Sequence, residues 1–157
     1  MSDYGFLDNL RTLLQRPENQ SPHNRFLGIE IVHLEHARAV LRVPYAARLA
    51  GNATSGVLHG GVITTVIDSA GGWSVIAALG RRVNIATLDL RIDYLKPARP
   101  GEAVTAAAHC YKVTRNVCFV RALAYHADRD DPIANCAASF MITAQDPPGS
   151  SLGGPPP

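Results

Sequence analysis

The chain has 157 residues, enough for one ordinary domain with a real core, and with 46% hydrophobic and 18% charged residues it is a globular composition, not a disordered one. A formal net charge of +2 and the lack of a dense basic run argue against nucleic acid, so an anionic partner has to be met by a local cluster. Cys110, Cys118 and Cys136 form no CxxC pair and Met1 to Gln15 has no apolar signal core, which predicts core thiols and a cytoplasmic protein.

Residues 3–16 place Phe6, Leu7, Leu10, Leu13 and Leu14 at helical spacing, and Pro17 with the polar stretch Glu18 to Asn24 ends that helix. Residues 28–43 alternate (Ile29, Ile31, His33, then Ala39, Leu41, Val43), which predicts two strands turning near His36-Ala37. Residues 44–58, rich in Pro, Gly, Asn, Thr and Ser, read as a loop.

Residues 59–79 predict one long helix, apolar nearly all round, with Gly80 as its cap and Arg81 and Arg82 at the negative end of its dipole. The run approaches membrane-span length, but His59, Asp68, its glycines and its hydroxyls favour a soluble core helix. Such a helix has to be enclosed. Beyond it the period becomes two: Ile85, Thr87, Asp89, Arg91 and Asp93 share one parity, Ala86, Leu88, Leu90, Ile92 and Tyr94 the other. Runs 102–113, 117–127 and 133–144 continue as an antiparallel meander. The Pro/Gly/Ser tail 146–157 reads as disordered. The predicted class is α+β: a curved antiparallel sheet wrapped around one long central helix, with an extra N-terminal helix.

Asp68 is the one formal charge between Arg48 and Arg81, set among Val62, Ile63, Val66, Ile67, Ala70 and Trp73. An ionised carboxylate against a core costs several kcal/mol unless compensated, so this one has a reason to be there. His59-Gly60-Gly61 just upstream offers unhindered amides at a helix N-terminus, a place that attracts negative charge. Together they point to acyl chemistry.

The segment Asn52 to Gly72 (NATSGVLHGGVITTVIDSAGG) followed by Thr87 to Ala98 (TLDLRIDYLKPA) resembles the PaaI-type hotdog-fold acyl-CoA thioesterases, and Phe26 to Glu30 resembles that family's entry into its first strand. The likeness spans residues 22–145, between an N-terminal helix and linker (1–21) and the tail. It implies hydrolysis of a thioester to a carboxylic acid and coenzyme A by a homodimer as the minimal active unit, assembled further into a homotetramer. No metal, no cofactor beyond the coenzyme A of the substrate, no nucleic acid and no membrane partner are implied.

On that reading the Gly60 amide is the oxyanion donor, and Gly61 gives room for the substrate. Asp68 is general base, or nucleophile through an anhydride. A thiolate leaves without strong acid help, so one base and one donor suffice. Thr87 matches the family's Ser/Thr hydroxyl that orients water or the acid. Asn52 resembles a water-positioning amide, with a turn residue as the alternative, and His59 either orients the loop or polarises the carbonyl. Trp73 and Ile76 are candidates for the acyl tunnel, Lys96, Arg99 and Arg115 for the phosphates of coenzyme A, with Arg81 and Arg82 behind them.

Spacing adds one inference. Gly60 and Asp68 are eight positions apart, about 12 Å along a helix. One carbonyl needs both groups within ~3 Å, so two antiparallel copies of the helix have to share each site. Two other functions remain in view: a non-catalytic acyl-CoA-binding module, and a hydratase or dehydratase, for which no second suitable His–acid pair stands out beside His59 and Asp68.

Overall fold

The computed structural model describes residues 3–14 and 16–144; the predicted tail 146–157 lies outside them. Helix α1 (Asp3–Leu14) leads to a 3-10 turn (Pro17–Asn19) and helix α2 (Pro22–Leu27). Strands β1 (Glu30–Glu35) and β2 (Arg38–Val43) follow, then α3 (Gly60–Leu79), β3 (Asn84–Tyr94), β4 (Val104–Val113), β5 (Val117–Tyr125) and β6 (Ala134–Ala144). The six strands form one sheet in the order β1-β2-β4-β5-β6-β3, antiparallel throughout, leaving β1 and β3 as its edges. This is the hotdog arrangement that the sequence led us to expect.

α2 was not expected. The polar composition of 18–24 reads as a linker, yet its boundary signals are there. The Ser21 hydroxyl accepts from the Asn24 amide (3.2 Å), Pro22 opens the first turn, and Gly28, at φ 71°, closes the last in the left-handed region. The β1–β2 turn falls where the alternation placed it, with Ala37 at φ 59° and its carbonyl held by the Cys110 amide (2.8 Å).

α3 lies across the concave face of the sheet. Val62, Ile63, Val66, Ile67, Ala70, Val75 and Ala77 are buried against Leu41, Val43, Val104, Val120 and Phe140. A Cβ on Gly71 would sit 2.9 Å from Phe140 Cζ, so glycine is what lets β6 approach. Leu10 of α1 joins the same core.

The all-round apolar reading of α3 needs correction. Its sheet face is buried, but Thr64, Thr65, Asp68, Ser69, Gly72, Trp73 and Ile76 form a half-buried seam along the opposite side. Small hydroxyl residues and glycine barely lower the average hydropathy of the segment, which is why the seam does not stand out in the sequence. α2 covers part of it, with His23 Nε2 3.3 Å from the Thr65 hydroxyl and the Ser69 hydroxyl donating to Asn24 (3.4 Å). Helix α3 is long and apolar enough to cross a membrane by length and composition, and here its apolar face packs on the sheet.

The parity read for 84–94 also needs correction. The β3–β6 register pairs Thr87 with Phe140 but Asp89 with Ser139, so Leu88 sits in a bulge. One extra residue shifts the alternation. Ile85 and Thr87 therefore share the helix-facing side with Leu90, Ile92 and Tyr94, and Asp89, Arg91 and Asp93 face away.

Candidate active site

The first turn of α3 is fixed by its own side chains. His59 is the N-cap, and its Nδ1 accepts the Gly61 amide (2.9 Å). A neutral ring so engaged carries its proton on Nε2. The His59 amide donates to the Leu49 carbonyl (2.9 Å), tying the cap to the preceding loop. A Cβ on Gly61 would lie 2.9 Å from that Nδ1, so glycine at 61 serves the cap. With the Gly61 amide taken, the Gly60 amide is the first-turn donor left without an acceptor among the described residues.

Tyr94, at the end of β3, lies over this turn. Its hydroxyl donates to the Gly60 carbonyl (2.9 Å) and stands 2.8 Å from the Thr64 hydroxyl, which itself reaches the same carbonyl at 3.2 Å. Tyr94 was not singled out by sequence reasoning, although it is the tyrosine of the DYL motif that carried the resemblance.

Two turns on, Asp68 is half-buried and its Oδ1 accepts the Thr87 hydroxyl at 2.9 Å. The acid is therefore less enclosed than its apolar neighbours in sequence suggest, because it lies on the open seam. The bulge at Leu88 matters here. Without it, Thr87 and Tyr94 would point to opposite faces, and one strand could not serve both turns of the helix. Asp68 and Thr87 line a cleft of about 250 Å3 together with Asn24, Ser69, Trp73, Ile76 and Ile85. Trp73 and Ile76 thus stand in the same cleft as Asp68.

The remaining candidates are not gathered by one chain. Asn52 Oδ1 accepts the Thr54 and Ser55 amides, both at 2.9 Å, so it builds the loop turn. Lys96 is paired with Asp131, whose carboxyl it holds below the usual range through a hydrogen bond and its charge. Arg99 Nε is 2.9 Å from Glu102, and its amide donates to Nε2 of His126 (2.9 Å). Arg115 sits in the β4–β5 turn, at the same end of the sheet as the start of β3 but with β6 between them, and makes no ion pair among the described residues. Lys96 and Arg99 follow the other end of β3.

The cysteines are free and buried. Burial pushes the thiol of Cys110 up to about 12 and that of Cys136 up to about 11, so both stay protonated and inert near neutral pH.

A six-stranded antiparallel sheet holding one long helix is the hotdog class of domain, and known proteins of this class resemble the chain. The Thioesterase superfamily model matches residues 55–133. The medium/long-chain acyl-CoA thioesterase YigI of Escherichia coli is 31% identical over 134 residues, 77% of this chain and 85% of that protein. A Pseudomonas aeruginosa protein of known crystal structure superposes with a TM-score of 0.75 at 39% identity, over 88% of this chain and 99% of that one. The PaaI protein of the E. coli phenylacetic acid degradation operon gives a TM-score of 0.76, over 91% of this chain and 96% of that one; at 16% identity that likeness concerns the fold alone. The chain belongs to the thioesterase superfamily, with the PaaI-type hotdog fold, and is a thioester hydrolase.

Proposed function

We propose that the protein hydrolyses acyl-CoA to a carboxylic acid and coenzyme A at sites shared between two protomers. The observation that carries this is the pairing of a vacant Gly60 amide with an Asp68 cleft about 12 Å along the same helix. Water adds to the thioester carbonyl as Asp68 takes its proton, and the oxyanion forms against the partner's Gly60 amide, aligned with the positive end of the α3 dipole. Collapse expels the coenzyme A thiolate, which takes up the proton, and the acyl group departs as the acid. Thr87 holds Oδ1 of Asp68 and leaves Oδ2 for the water.

The β3 edge supports the dimer. It is a long strand with an unpaired side, and Leu88, Tyr94 and Leu95 are about half exposed there (51%, 51% and 53%). Exposed edges of this kind are normally covered. Two antiparallel β3 strands about a two-fold axis set Thr87 of one protomer beside Tyr94 of the other, and with them Asp68 opposite Gly60. The same axis brings Arg115 of one chain towards Lys96 and Arg99 of the other, giving the coenzyme A phosphates cations from both.

Complementation tests the reading. Gly60 is the first helical residue, where proline is accepted because its missing N–H was unbonded, and His59 at ψ 133° suits a following proline. Gly60→Pro therefore deletes the donor with little change of shape, and its rate is expected to fall by about 10²–10³. Mixing Gly60→Pro with Asp68→Ala chains is expected to restore one working site per heterodimer. No recovery after verified subunit exchange would overturn the shared site.

A further inference from the structure

Behind the Asp68 cleft lies a second hollow, of about 200 Å3, between the N-terminal segment and strands β1 and β2. Its walls are Ile29, Ile31, Leu41 and Trp73, and residues 19–21 with Asn24 close it from above. Leu41 and Ile29 are 1% and 4% exposed, so the floor is hydrocarbon, and the polar lining is confined to residues 19–21 and Asn24 on the opposite side. Trp73 and Asn24 line both this hollow and the cleft holding Asp68. The roof is anchored, since Ser21 caps α2 and Asn24 accepts the Ser69 hydroxyl.

We propose that this hollow is the acyl chamber: the tail of a straight-chain aliphatic acyl-CoA passes Trp73 and lodges under residues 19–24 of the protomer whose Asp68 acts. The assignment rests on the acyl-CoA reading above and gives it a substrate class. It also gives the N-terminal segment a role, as the element that limits chain length. An apolar hollow rewards each methylene by about fourfold in affinity, the equivalent of ~0.8 kcal/mol per CH₂. A cavity of ~150 Å3 accepts benzene, six carbons, so this one takes roughly eight. With the carbonyl and the next carbon in the cleft, an acyl chain of about ten carbons fills it. Affinity rises up to that length and then levels or falls.

The chain has a single tryptophan, and it stands between cleft and chamber, so its fluorescence reports the tail. S-alkyl-CoA thioethers of two to fourteen carbons, which resist hydrolysis, are titrated into the wild type, Ile31→Phe and Ile31→Ala, each checked for folding by circular dichroism. The emission shift and affinity are expected to grow with length up to about ten carbons in the wild type. The break moves about two carbons shorter in Ile31→Phe and at least one longer in Ile31→Ala. A break at the same length in all three folded proteins, or a signal indifferent to length, overturns the chamber. Length-dependent binding by a protein that hydrolyses no acyl-CoA supports the chamber and removes the thioesterase reading instead.

Discussion

The first turn of α3 and the turn that carries Asp68 belong to one helix, yet they are held in opposite ways. At the first turn the groups around the vacant amide are locked: Gly61 to His59, the Gly60 carbonyl to Tyr94, Tyr94 to Thr64. Two turns on, Asp68 has one side-chain partner among the described residues, Thr87, and an open cleft in front of it. The difference suits the roles proposed for the two turns. A donor that stabilises developing charge works by being aimed before the reaction starts. A base has to keep one oxygen free for the water it deprotonates.

Substitutions can break that contrast from either side. The largest effect is expected from Asp68→Asn, which keeps the shape and removes the proposed base: kcat falls by about 10²–10⁴, while thioether binding measured by calorimetry persists. Gly60→Pro comes next in size, as set out above. Thr87→Val is expected to lower kcat by about tenfold with KM little changed, since a hydrogen bond to a carboxylate is lost, and Thr87→Ser to recover most of it. Tyr94→Phe sharpens the comparison at the other end. It frees the Gly60 carbonyl from one donor, so kcat drops by roughly threefold, and the unfolding free energy from urea melts falls by about 1 kcal/mol.

The smallest effect comes from outside both turns. Native Cys110 and Cys136 are expected to ignore thiol reagents at pH 8 with activity retained. Their folded-state pKa values lie above the ordinary thiol value of 9.0. Above pH 9 the unfolded chain therefore ionises first, and their contribution to stability, complete below that pH, is lost as pH rises towards 11 to 12. Urea melts between pH 8 and 11 check this, and Cys110→Ala flattens the slope.

Much of this molecule can be read along the chain. The long helix, its glycine cap, the β1–β2 turn and the later strands all follow from periodicity and punctuation. Asp68 stands out because it is a lone charge in an apolar run, and Gly60 because two glycines follow a histidine at a helix start. Thr87 and Asp68 are nineteen positions apart, and only a family likeness linked them before the sheet brought them to 2.9 Å. The Leu88 bulge is silent in the sequence, since any residue can bulge and the alternation continues plausibly without it. α2 escaped for a different reason: its Ser-Pro start and Gly end are short signals inside a polar stretch.

The sequence by itself determined the long helix, its caps and the strand order along the chain, and it singled out Asp68 and Gly60 as candidates. Those are local matters, decided by side-chain periodicity and by residue types that few other roles explain. Tertiary structure decided which side of α3 stays open, which face of β3 Thr87 and Tyr94 share, and which of two adjacent glycine amides is vacant. Each of these depends on close packing between segments distant in sequence, where one bulged residue or one histidine rotamer changes what a helix turn can offer a substrate.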